Sequence, residues 1–122
     1  MYLKLFINVL CFLFFSNIKA QSLSLVGTRW DIMVSSVSEK PFNVIFGINK
    51  KGNILFPENE LADFTWSEDA NGNWSITVER MIKGIQKTEL FYGKINGNTG
   101  TGFYSNKADK KNLKPLTMIK KQ

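Results

Sequence analysis

The chain contains no histidine and a single cysteine, Cys11. Without an imidazole there can be no Ser-His or Cys-His nucleophile and no histidine-bound metal. Carboxylates are what remains for acid–base work, and glycoside hydrolysis shows that a pair of them suffices. Glu58, Glu60, Asp63, Glu68 and Asp69 fall in or beside turn-forming stretches, while Asp31, Glu79 and Glu89 sit in extended stretches on the polar phase. Scattered in this way they read as solvated surface. The sequence therefore points to a protein that is not an enzyme, with no catalytic residues, no metal and no cofactor.

Three short motifs imitate functional loops. Asp69-Ala70-Asn71-Gly72-Asn73 opens like a calcium loop, but its glycine comes at position 4 instead of 6, and Arg80 stands where a bidentate Glu is needed. It reads as a hairpin turn. Gly100-Thr101-Gly102 looks like part of a phosphate loop but precedes no helical stretch. Asn73-Trp74-Ser75 fits a glycosylation sequon, a triplet common by chance.

The aromatic residues carry the stronger signal. Trp30, Phe46, Phe56, Phe64, Trp66 and Trp74 all occupy the apolar phase of their extended segments. With Phe91 and Tyr104 further on, the candidate ligand-binding set is Trp30, Phe46, Phe64, Trp66, Trp74, Phe91 and Tyr104. Two readings stand. If these residues face inward they fill a core, as in small barrels whose side chains occupy the whole interior. Alternatively they line a pocket, for which tryptophan and tyrosine suit because each adds a polar tip to a large apolar body.

The elements that would position these residues are strands. From Trp30 onward apolar residues recur at every second position: Trp30, Ile32 and Val34; Val44, Phe46 and Ile48; Phe64 and Trp66; Trp74, Ile76 and Val78. Turn residues recur at the spacing of an all-β barrel or sandwich. Lys50-Lys51-Gly52-Asn53 is read as one turn and Pro57 as the end of the strand that follows. Eight strands are expected, at 30–37, 42–49, 53–56, 62–68, 74–80, 87–95, 99–106 and 113–120. The segment Met81 to Gln86 is open between a loop and a bulged strand continuation, and Pro115 makes the last strand either irregular or partly at an edge. Sequential hairpins favour an antiparallel up-and-down order, and eight strands can close so that no edge is exposed.

Asn96-Gly97 is read as the centre of a two-residue hairpin turn, pairing Ile95 with Asn98 and Gly93 with Gly100. One face of this hairpin carries Phe91, Gly93, Ile95, Gly100, Gly102 and Tyr104; the other carries Leu90, Tyr92 and Phe103. Glycine inside strands marks bending or close approach, which favours the first set as inward. Leu90, Tyr92 and Phe103 then form an exposed apolar patch, a candidate partner surface. If the second set faces inward, no patch exists.

Residues 1–20 read as a secretory signal peptide. Lys4 supplies a basic start, Leu5 to Phe15 is apolar apart from Asn8, and Ala20 offers a small residue before a cut at Gln21. The run of about 11 residues is short of the roughly 20 that span a bilayer, so no stable membrane span is expected after cleavage. Cys11 would leave with the leader. About 102 residues then form one domain, 21–122, large enough for a core without staples. The chain's 16 Lys and Arg against 10 Asp and Glu give +6, which becomes +4 without Lys4 and Lys19. Lys107, Lys110, Lys111, Lys114, Lys120 and Lys121 cluster late, either as a solvated loop and tail or as a surface for an anionic partner such as lipid head groups or polysaccharide. Nucleic acid is disfavoured for an exported chain.

The opening Leu25-Val26-Gly27-Thr28-Arg29-Trp30 resembles the start of lipocalin-like proteins, where a glycine and a tryptophan lead into the first barrel strand. Phe91-Tyr92-Gly93-Lys94-Ile95-Asn96-Gly97, with Gly100 and Gly102 after it, is similar to the late hairpin of small secreted bacterial members of that broad calycin-type class. The resemblance implies an up-and-down barrel with an apolar cavity. The function expected is a secreted or periplasmic binding protein holding a small apolar ligand. The alternative is a secreted interaction or inhibitor module that meets an extracytoplasmic protein through its loops or its exposed aromatic face. Oligomeric state stays open.

Overall fold

Apolar side chains at every second position give each extended segment one face that must leave water. A computed structural model describes residues 24–106 and 112–122; the leader expected at 1–20, and Lys107, Lys110 and Lys111, lie outside the described residues. Eight strands form: β1 (Arg29–Met33), β2 (Phe42–Phe46), β3 (Lys51–Leu55), β4 (Leu61–Glu68), β5 (Asn73–Ile82), β6 (Ile85–Asn96), β7 (Thr99–Asn106) and β8 (Lys114–Lys121). Each pairs antiparallel with the next, and β8 returns to β1 through Trp30↔Lys120 and Ile32↔Met118, closing an up-and-down barrel. The all-β, eight-stranded expectation holds, and no helix occurs among the described residues.

The buried core follows the alternation. Trp30 and Ile32, Phe42, Val44 and Phe46, Phe64 and Trp66, Trp74, Ile76 and Val78 all point inward. On the late hairpin the inward set is Phe91 and Tyr104 with the glycines, as the bending argument favoured. The glycines are there for close approach: a Cβ on Gly93 would strike the backbone of Thr101 and Gly102, and one on Gly102 would strike Tyr92 and Gly93. These two glycines face each other across β6 and β7.

Four boundaries differ from the sequence reading. β1 stops at Met33, because the chain turns after Val34, whose carbonyl accepts from Val37 N at 2.9 Å and Ser38 N at 3.1 Å. The β2–β3 turn is centred on Asn49 and Lys50, both left-handed (φ 57° and 60°), the type I′ arrangement. Gly52 is therefore not a turn residue; it lies in β3, where the Phe64 ring packs against the space a Cβ would take. Ile48, expected on the buried phase, sits beside that turn and is 72% exposed. The late hairpin runs one residue out of the expected register on each strand, with Asn96↔Thr99 and Gly93↔Gly102 paired. Its turn is centred on Gly97 and Asn98, and a lone positive φ at Gly97 (68°) is the mark of type II′. The shift preserves which residues face inward. Met81 to Gln86 is neither loop nor bulge: β5 and β6 continue to Ile82↔Ile85 and close through Lys83 and Gly84, both at positive φ.

Pro115 pairs with Phe103 of β7, while β1 reaches only as far as Thr117. The proline thus occupies a local edge inside a closed barrel, where a missing N–H does no harm.

Candidate functional site

The barrel has two ends, and its inward side chains make them different. One end carries the 34–41 and 56–60 connections and the β5–β6 turn. There Arg80 of β5 and Glu89 of β6 point inward, although both are charged. Arg80 Nε donates to Glu89 Oε1 at 2.6 Å, and Tyr104 Oη donates to Glu89 Oε2 at 2.7 Å. Arg80 Nη1 also reaches Glu60 at 2.7 Å and Glu58 at 3.4 Å, and its guanidinium lies 3.7 Å from the centre of the Phe56 ring. The carboxylates are thus spent on one guanidinium and one phenol. Burial works against the Arg80 charge, but the hydrogen bond and charge of Glu89, with Glu60 and Glu58, overcome it and raise the Arg80 pKa. Burial first, then the bond to Glu89 and its charge, pushes the Tyr104 phenol far above its ordinary 10.0. This end is a plug of satisfied polar groups. Sequence reading placed Glu89 on the polar face; its spacing of two from Phe91 was the signal for the inward position.

The aromatic candidates form two separate clusters. Phe46 meets Phe64 at 5.7 Å and Trp66 at 5.2 Å between ring centres, both edge-on. Trp66 Nε1 donates to the carbonyls of Gly47 and Lys51, at 3.3 and 3.0 Å. Phe91 meets Tyr104 at 5.0 Å, and Phe42 joins Phe91 at 5.3 Å and Phe56 at 5.5 Å. Trp74 is buried with its indole N–H meeting no acceptor among the described residues.

Three of the seven line a depression: Phe64 an open one of about 850 Å³ beside Gly52 and Thr65, Trp74 one of about 740 Å³ on the outer wall, and Trp30 a smaller, more enclosed one. The cavity at Trp30, of about 290 Å³, is at the opposite, open end of the barrel. Trp30 Nε1 donates to Thr28 Oγ1 at 2.8 Å, and Thr28 Oγ1 donates in turn to the Leu25 carbonyl at 2.5 Å. Residues 24–28 cross this end as a strap. Glu68 ties it down, accepting from Ser24 Oγ at 2.8 Å and from Leu25 N at 3.0 Å. Leu25 is buried beneath, and Ile95 packs against the core close by. Ala70 and Asn71 of the β4–β5 turn and Lys120 of β8 complete the rim. The turn is held by local hydrogen bonds: Asp69 accepts from Asn73 Nδ2 and from the amides of Asn73 and Asn71, which together lower its pKa. Sequence reading named Leu25, Glu68, Ile95 and Lys120 separately but did not bring them together, because they come from four distant segments.

The candidate partner surface is on the outer wall. Tyr92 and Phe103 are cross-strand partners with ring centres 6.0 Å apart, 36% and 43% exposed; Leu90 is half-buried. Pro115 continues their row, above a shallow depression of about 740 Å³.

A closed eight-stranded antiparallel barrel with one plugged and one open end is compatible with a calycin-type architecture. No family model matches the chain, and neither a curated protein nor a solved structure matches it.

Proposed function

We propose that this is an exported, non-enzymatic binding protein of lipocalin-like type, secreted or periplasmic, that holds a small, largely apolar ligand in the open end of its barrel. The observation that carries this reading is the cavity of about 290 Å³ over Trp30, Leu25 and Ile95. Its size is at the lower end of small-molecule pockets, roughly 300–1,000 Å³. An apolar floor with a few polar groups at the rim, here Thr28, Glu68 and Lys120, is the usual composition of such a site. The ligand therefore rests on Trp30, the candidate aromatic residue that lines this cavity.

Titration with the apolar fluorophore N-phenylnaphthylamine tests this. Binding should enhance the dye, saturate at one molecule per chain and quench tryptophan emission. Ala70→Trp places a large side chain at the mouth from an exposed turn position, and should abolish the enhancement while leaving the melting temperature unchanged. No saturable binding, or equal binding by Ala70→Trp, would defeat the reading.

The exposed Tyr92 and Phe103 pair favours a second reading, a face for an extracytoplasmic protein. Under that reading Phe103→Ser removes a co-purifying partner and leaves fluorophore binding intact.

A further inference from the structure

Asn71 and Asn96 each precede a glycine. Both asparagines are exposed, in turns that border the open-end cavity through Asn71, Gly72 and Gly97. An asparagine so placed has an electrophile and a nucleophile side by side. The backbone nitrogen of the next residue can attack the side-chain Cγ and close a five-membered imide. Both groups belong to one short stretch of chain, so the encounter needs no second molecule. Glycine leaves that nitrogen unshielded because it has no Cβ. Asn98, by contrast, precedes the β-branched Thr99, whose side chain crowds the corresponding nitrogen.

The fold treats the two Asn-Gly pairs differently. Attack requires the peptide between the two residues to rotate toward the side chain. At Asn71 that rotation works against three hydrogen bonds: Asn71 N donates to Asp69 Oδ1 at 2.8 Å, Gly72 N donates to the Asp69 carbonyl at 3.3 Å, and the Gly72 carbonyl accepts from Ile95 N at 2.9 Å. The attacking nitrogen is itself one of the bonded donors, which opposes loss of its proton.

At Asn96 the same rotation disturbs the end of a hairpin. Asn96↔Thr99 is the last pair of β6 and β7, and the Asn96 carbonyl accepts from Thr99 Oγ1 at 3.3 Å. The tie to β8 comes further on, from Lys120 N to the Asn98 carbonyl at 2.8 Å, and leaves the 96–97 peptide alone. A two-residue turn is closed by its outer residues, so the central Gly97 N–H is held by neither strand. A Cβ built on Gly97 would meet nothing within 4 Å, so the nitrogen is also approached freely.

We propose that Asn96 is a site of spontaneous deamidation in the folded protein, and that Asn71, with the same following residue, is protected by its turn. The Gly97 nitrogen loses its proton and bonds to Cγ of Asn96; the Cγ–Nδ2 bond breaks and ammonia leaves with that proton. Water then opens the imide at either carbonyl, giving aspartate or isoaspartate. The isoaspartate product carries one more methylene in the main chain of a tight turn, and either product adds a negative charge beside the cavity rim. This inference is independent of the ligand reading.

Incubation of the folded full chain in mildly alkaline buffer made with heavy-oxygen water tests the proposal, with peptide mass spectrometry following each asparagine. Asn96 should gain the mass of an amide-to-acid exchange carrying heavy oxygen, and an isoaspartyl methyltransferase should label the same peptide. Asn71 should convert roughly thirtyfold more slowly, the weight of about two further hydrogen bonds. In guanidinium chloride, where both turns are lost, the two should convert at equal rates. Asp69→Ala, which frees the Asn71 amide, should speed conversion at Asn71 and leave Asn96 unaffected. Asn96→Gln, whose longer side chain closes the imide poorly, should leave position 96 unconverted. No conversion at Asn96, conversion of Asn71 as fast as Asn96 in the folded chain, or a gap between them that persists in denaturant would overturn the proposal.

Discussion

Glu89 is a carboxylate on the inward face of a barrel wall, and such a group is tolerated only with its charge answered. Arg80 and Tyr104 answer it at 2.6 and 2.7 Å. Removing one partner should therefore hurt more than removing the pair. Arg80→Met, which leaves Glu89 buried and uncompensated, is expected to lose about 3–5 kcal/mol in urea unfolding. Arg80→Met/Glu89→Leu should recover most of that loss; a double variant no better than the single one would show that packing on Phe56, and not charge, is what Arg80 contributes. Tyr104 makes the same argument as a function of pH. Its native pKa is raised, so between the ordinary value of 10.0 and the native one the folded state holds a proton that the unfolded chain has released. Stability from this group is complete below pH 10.0 and falls as pH rises above it. Denaturant midpoints should thus decline steeply above pH 10.0, and Tyr104→Phe should flatten that decline; an unchanged slope would mean that other groups cause it.

At the scale of elements, the late hairpin shows how glycine sets curvature. Gly93 and Gly102 face each other where the two backbones come so close that neither tolerates a Cβ without moving main chain. Gly100 is less demanding, since part of what a Cβ would meet is the flexible Met118 side chain, at 2.7 and 2.9 Å. Gly102→Ala should cost about 1–3 kcal/mol and Gly100→Ala clearly less, read from chemical denaturation. Equal losses would mean that chain entropy and not close approach governs both positions. The same hairpin shows what local sequence resolves and what it does not. The sequence left the inward face open; the glycines favoured the face of Phe91, Gly93, Gly102 and Tyr104, and a shift of one residue on each strand keeps these four on one face. The register was not legible, because Asn96-Gly97 and Gly97-Asn98 both make good two-residue turns, and closure on β8 through Gly100↔Met118 selects between them. Likewise Gly52 looked like a turn residue until the Phe64 ring was found against it.

For the molecule as a whole, alternation with period two, frequent turn residues and the lack of any amphipathic helical stretch were enough to specify eight antiparallel strands and their order. Each of those features depends only on neighbours along the chain, and closure follows because it leaves no edge unpaired. The absence of histidine from this sequence removes imidazole chemistry from it, since no fold can supply a missing side chain. The aromatic residues lie inward, one of the arrangements their alternation allowed, but their division into packed clusters around Phe46 and Phe91, with Trp30 at the cavity beside Leu25, needed three-dimensional distances. The open-end cavity joins Leu25, Glu68, Ile95 and Lys120, and the plug joins Glu60, Arg80, Glu89 and Tyr104. Those sites are made of residues far apart in the chain, and which of them meet depends on strand stagger, twist and turn type acting together. Pattern along the chain fixes the face on which a side chain lies; only the closed barrel sets the height at which it meets its partners.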